Sequence, residues 1–132
     1  MNNKLMRFAL GVAATLIAVP ALAHHPFQAE FDWKKPVTVT GTVTKIDWTN
    51  PHVWIYMNVK DEKSGSMANW GFEMGPPHLL QGQGWKSNSL KIGDEIVVEG
   101  SMAKNGSKRM NARSVTMNGQ RLGAGSSQNI NQ

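Results

Sequence analysis

From Val37 to Val43 every odd position is valine or glycine, and every even position from Thr38 to Thr44 is threonine. A period of two belongs to a strand with one buried and one solvated face, and β-branched side chains suit the pleat. No amphipathic helix fits that pattern. Gly41 falls on the apolar side, where a mid-strand glycine marks a bulge or a sharp coil.

The same alternation returns in four further stretches. Residues 51–60 place Val53, Ile55, Met57 and Val59 on one face, and residues 67–74 do the same with Ala68, Trp70, Phe72 and Met74. The polar run Asp61-Glu62-Lys63-Ser64-Gly65-Ser66 between them reads as a hairpin loop. Gly75-Pro76-Pro77 stops the third strand, and Pro76 to Gln81 reads as a short helix begun by proline. Two more strands follow, near 95–102 and 112–117. Strand, strand, strand, short helix, strand, strand predicts an all-β fold: a small five-stranded OB-like Greek-key barrel with one short helix between strands 3 and 4. Met57, Met67, Met74 and Met102 read mainly as core in this phase, so a thioether copper site is the weaker use of them.

Both ends differ from the middle. Lys4 and Arg7, the apolar run Phe8–Val19, Pro20 and the small residues Ala21-Leu22-Ala23 have the layout of a secretory signal peptide. The expectation is a signal at 1–23 cleaved near Ala23, an N-terminal arm at 24–36, a barrel at 37–118 and a disordered tail at 119–132. The tail is glycine, serine, asparagine and glutamine, a composition with little apolar surface to bury. Such a chain is expected in the periplasm or secreted, with no membrane span after cleavage.

Composition narrows the functional classes. Without Lys4 and Arg7 the 14 basic residues become 12 against 9 acidic ones, and the formal charge falls from +5 to +3. So modest a balance in an exported chain does not point to nucleic acid. There is no cysteine, hence no disulfide, no thiolate ligand and no thiol nucleophile. Neither a nucleophile elbow nor a paired-carboxylate motif stands out, so an enzyme is the class the residues support least.

The chemistry concentrates in Asp47-Trp48-Thr49-Asn50-Pro51-His52-Val53-Trp54-Ile55-Tyr56. His52, Trp54, Tyr56 and Asn58 alternate with the core residues of the second strand, so an imidazole and two large rings share its outer face. Glu73, on the outer face of the third strand, is the carboxylate best placed to orient His52. Trp48 and Asn50 sit in the turn that leads into that face.

Ala23-His24-His25-Pro26-Phe27, Phe31-Asp32, Pro36-Val37-Thr38, Gly41-Thr42-Val43, Trp48-Thr49-Asn50-Pro51-His52, Gly84-Trp85, Leu90-Lys91-Ile92-Gly93-Asp94 and Asn111-Ala112-Arg113-Ser114-Val115 occur in that order. Together they resemble a family of small exported bacterial proteins catalogued as a domain of unknown function. The resemblance covers nearly the whole mature chain and implies an exported single domain. It implies no established activity.

Two readings of the site follow from the residues. If cleavage leaves His24 first, its free amine and ring nitrogen chelate one copper ion, and His52 supplies a third nitrogen; His25 and His78 are substitutes. A tetrahedral zinc site would instead need a fourth ligand, for which Asp47 or Glu30 are candidates, and Asp47 is otherwise a partner behind the ligands, like Glu73. The other reading is a ligand- or protein-binding module without metal, which stacks a partner on Trp54 and Tyr56. The partner is then a small ligand or another exported protein.

Overall fold

A computed structural model describes residues 27–126 of the 132-residue chain. Threonine–valine alternation produces the long strand β1 (Phe31–Asp47), followed by β2 (Trp54–Lys60) and β3 (Met67–Glu73). One helical turn, α1 (Phe27–Glu30), precedes β1, and a second short helix, α2 (Pro77–Gly82), follows β3. Strands β4 (Glu95–Ala103), β5 (Arg109–Met117) and β6 (Gln120–Gly123) complete the order.

The sheet runs β3-β2-β1-β4-β5-β6, and a parallel pairing of β3 with β5 closes β1–β5 into a barrel. All-β topology, the closing pair and the helix between β3 and β4 make this the OB-like Greek-key barrel expected from the strand order. The closing pair spans Gly71–Glu73 against Arg109–Asn111.

The barrel is filled by the residues that alternation selects. Val43, Val53, Ile55, Met57, Phe72, Met74, Leu80, Ile96, Val98, Met110 and Val115 are all buried. Each large side chain among them contributes about 1.5–3 kcal/mol on leaving water. Met57 and Met74 are core, whereas Met67 is 59% exposed at the start of β3. Trp70 packs against the core from a half-buried position.

Gly41 has a different role from the one its position suggests. A Cβ there would lie 2.5 Å from the Asn58 carbonyl oxygen, so the glycine permits close approach of β1 and β2. The register shift of β1 against β2 comes between Val43 and Lys45. Thr44 is the extra residue.

Four boundaries move relative to the sequence expectation, the first being that β2 begins at Trp54, three residues after the expected start at 51. β1 begins at Phe31 inside the expected arm, pairing Phe31 with Ala103 and Asp32 with Met102, and its register against β4 shifts between Asp32 and Pro36. The fifth strand starts at Arg109, three residues before the expected Ala112.

The fourth correction is the tail, where residues expected to lack structure form β6 and a buried strap. Trp85 Nε1 donates to the Gly123 carbonyl at 2.6 Å, Gly75 N to the Ala124 carbonyl at 2.7 Å, and Gly125 N to Gln83 Oε1 at 3.1 Å. Ala124 and Ser126 are buried. Hydrogen bonds to the strap backbone hold it beside the core packing of Leu122 and Ala124, and composition does not register those bonds.

No helix among the described residues is long and apolar enough to cross a membrane. The expected signal peptide at 1–23 lies outside the described residues, as do His24 and His25.

Candidate functional site

The outer face of β2 is a set of rows that the register spells out. Asn58 lies opposite Asn69, Tyr56 opposite Gly71, and Trp54 opposite Glu73. On the other side Tyr56 faces Lys45 and Trp54 faces Asp47. Through the parallel pairing, Gly71 aligns with Arg109 and Glu73 with Asn111. Four strands thus contribute to one face.

His52 stands just before β2, and its backbone is held on the following side. Val53 is fully buried; its N–H donates to the Gly75 carbonyl at 3.1 Å and its carbonyl accepts from Met74 N at 2.8 Å. The imidazole is fixed in turn: His52 Nδ1 pairs with Glu73 Oε1. The imidazole side chain is 36% exposed and the Glu73 side chain 11%. A neutral imidazole that donates from Nδ1 carries its lone pair on Nε2.

Glu73 is the buried member of a polar chain. The Asn111 amide donates to its carboxylate, and Ser126 Oγ donates to Asn111 Oδ1. Burial raises the Glu73 pKa above the ordinary carboxylate range, against the opposing pull of His52 and Asn111, and the nearby Glu30 charge adds to the rise. Ser101 on β4 aligns with Asn111, is fully buried, and its Oγ has no hydrogen-bond partner among the described residues.

Trp54 and Tyr56 form a shelf along β2. Their ring centroids are 6.4 Å apart and their planes 24° from parallel. Gly71 makes room for them, since a Cβ there would meet Tyr56 ring atoms at 3.1 and 3.3 Å. The Arg109 guanidinium sits 4.4 Å from the Trp54 centroid and Lys45 Nζ 5.2 Å from that of Tyr56. Beyond Tyr56, Asn69 Nδ2 donates to Thr44 Oγ1 and to Asn58 Oδ1, each at 3.0 Å.

The other residues nominated by the sequence are dispersed. Asp47 shares the face but is tied to Lys45 Nζ at 2.8 Å. Trp48 packs against the core beside Ile46, because it continues the inward phase of β1 and so leaves the outer face of β2. Asn50 is exposed in the turn, where the Asn50–Pro51 peptide is cis. His78 is exposed on α2. Among the described residues there is no cluster of three or more His, Asp or Glu able to hold a metal.

Arg109, Lys45, Asn111 and Ser126 were not singled out by sequence. Arg109 and Asn111 reach this face through the parallel β3–β5 pairing, which joins segments far apart in the chain and leaves no periodic signal. Lys45 had a local signal: counted past the Thr44 bulge, it falls opposite Tyr56.

Comparison with known proteins gives a family and a fold. Residues 13–112 match the model described as a family of unknown function, DUF6152. No curated protein matches the chain. Among solved structures, a small single-stranded DNA-binding protein from Streptomyces coelicolor is similar at 18% identity and a TM-score of 0.47, over 63% of this chain and 91% of that one.

Proposed function

The chain belongs to DUF6152, a family whose description names no activity, and from its own residues we propose that it is an exported small binding protein that holds copper between the mature N-terminal His24 and His52. The observation that carries this reading is the His52–Glu73 pair. A ligand imidazole typically donates its second ring N–H to a carboxylate, which fixes the tautomer and raises the basicity of the coordinating nitrogen. Glu73 is held for that task by Asn111 and by burial.

The arm supports the same reading. Glu30, at the end of α1, is close enough to act electrostatically on Glu73, and its carbonyl is fixed by Lys104 N at 2.8 Å. His24 is three residues before Phe27, a span of at most about 10 Å. An amine, an imidazole and His52 Nε2 make a nitrogen set that suits Cu(II), which when bound supplies a Lewis-acidic, redox-active centre.

Titration calorimetry with Cu(II) tests this on protein whose N-terminus is confirmed as His24 by intact mass. The reading predicts one equivalent bound, lost in His52→Ala and weakened when a residue precedes His24. Equal binding by all three proteins contradicts it.

A second reading is favoured by the Trp54–Tyr56 shelf, which presents two nearly parallel rings on one face. It is a ligand platform that needs no metal. His52→Ala would dent such a platform, and Trp54→Ala would abolish it.

A further inference from the structure

The rings of the shelf are not bare. Arg109 lies over Trp54 and Lys45 lies over Tyr56, so a ligand approaching either ring meets a cation. The two cations differ. Lys45 is already paired with Asp47 at 2.8 Å. Among the described residues Arg109 has no carboxylate partner, and its side chain lies against the Trp54 ring.

A guanidinium held 4.4 Å from an indole centroid is positioned by the ring and keeps N–H donors that the ring does not satisfy. Its planar fork matches a carboxylate in two parallel hydrogen bonds, and the rotamer freedom normally lost on binding is already spent on the stack. This is a preorganised anion receptor beside an aromatic shelf. A neutral ligand would have to displace the cation from the ring, at the cost of the cation–π contact. An anionic ligand keeps it.

The rest of the face says what carries the anion. Tyr56 offers a flat ring next to Trp54, and the Asn69–Asn58–Thr44 rung continues the same surface with amide and hydroxyl groups. Flat apolar faces bordered by hydroxyl-binding groups suit a saccharide ring. One uncompensated arginine suits one carboxylate and falls short of the run of phosphate contacts that a nucleic-acid track needs.

We infer that the Arg109–Trp54–Tyr56 face binds an acidic saccharide, with a uronate carboxylate on Arg109, which stays over Trp54, and the sugar ring on Tyr56, from which Lys45 withdraws to its Asp47 partner. The inference rests on the platform reading and is independent of copper. It makes Arg109 the residue that selects acidic over neutral sugars.

The test titrates trigalacturonate, maltotriose, a short polyglutamate peptide and an oligothymidylate into the metal-free protein, following binding by calorimetry and by the Trp54 indole N–H resonance. Arg109→Ala, Arg109→Lys and Trp54→Ala are compared, with circular dichroism to confirm that each is folded. The expected result is trigalacturonate binding that shifts the Trp54 signal, at least tenfold weaker binding of maltotriose, a tenfold or greater loss in Arg109→Ala and a partial loss in Arg109→Lys. Equal binding of both sugars with no effect of Arg109→Ala overturns the inference but leaves the platform. Tighter binding of polyglutamate or oligothymidylate overturns the assigned ligand class. Binding of none of the four probes overturns inference and platform together.

Discussion

His52 Nδ1 and Glu73 Oε1 are bonded to each other at one corner of the barrel, a half-exposed imidazole against a buried carboxylate. The bond ties the turn before β2 to the end of β3, and through Asn111 and Ser126 it reaches β5 and the C-terminal strap. A fully exposed pair would do little for stability, whereas here the carboxylate is buried and holds the imidazole in one orientation. Its worth here is orientation.

The first prediction concerns that orientation. Glu73→Gln keeps the shape and removes the anionic acceptor, so Cu(II) affinity should fall about 10–100-fold, the range typical of lost partners behind a ligand imidazole. His52→Ala should remove the site altogether. Competition against a chromogenic copper chelator measures both.

The second concerns pH in the metal-free protein. The Glu73 pKa is raised in the folded state, first by burial, so the native protein holds this proton more tightly than the unfolded chain does. The stabilising contribution is therefore complete below the ordinary carboxylate value and is lost as pH rises through the folded value. Relative to Glu73→Gln, the wild-type protein should lose stability over that window, by no more than about 1.4 kcal/mol per pH unit for one proton. Urea unfolding of both proteins from pH 4 upwards reads the slope; an opposite sign would contradict the buried placement of the carboxylate.

The third concerns the strap. Deleting everything after Asn118 removes β6 and the hydrogen bonds to Trp85, Gln83 and Gly75. Several such bonds at about 1 kcal/mol each predict a loss on the order of 3–5 kcal/mol in chemical denaturation. Trp85→Phe should cost about 1 kcal/mol through the Gly123 bond alone. An unchanged midpoint in the truncated protein would contradict a structural role for the tail.

The fourth concerns close approach behind the site. A Cβ at Gly100 would lie 2.0 Å from the Asn111 carbonyl oxygen, a backbone atom that cannot swing aside. Gly100→Ala should therefore push β4 from β5, with a cost of roughly 1–3 kcal/mol or more, and disturb Asn111 under Glu73. Denaturation gives the first effect, and weakened Cu(II) binding the second.

Much of this architecture was legible because β-strand periodicity is local. The Val–Thr alternation of β1 and the inward set Val53, Ile55 and Met57 placed the core, and the outward phase of His52 and Glu73 put the pair on adjacent strands. Trp48 was harder, since the strand phase carries it inward past a bulge at Thr44 that alternation alone does not reveal. Arg109 and Asn111 depend on a long-range parallel pairing. Ser126 depends on a strap held by backbone bonds, and a run of glycine and serine carries no sign of them.

The most direct measurement is the electron paramagnetic resonance spectrum of one equivalent of Cu(II) bound to protein with His24 verified as its first residue. Our account predicts nitrogen hyperfine structure from a three-nitrogen set that changes on His52→Ala and on adding one residue before His24. A spectrum of weakly held copper, or one that both changes leave untouched, would contradict it and leave His52 and Glu73 as a pair that serves the fold.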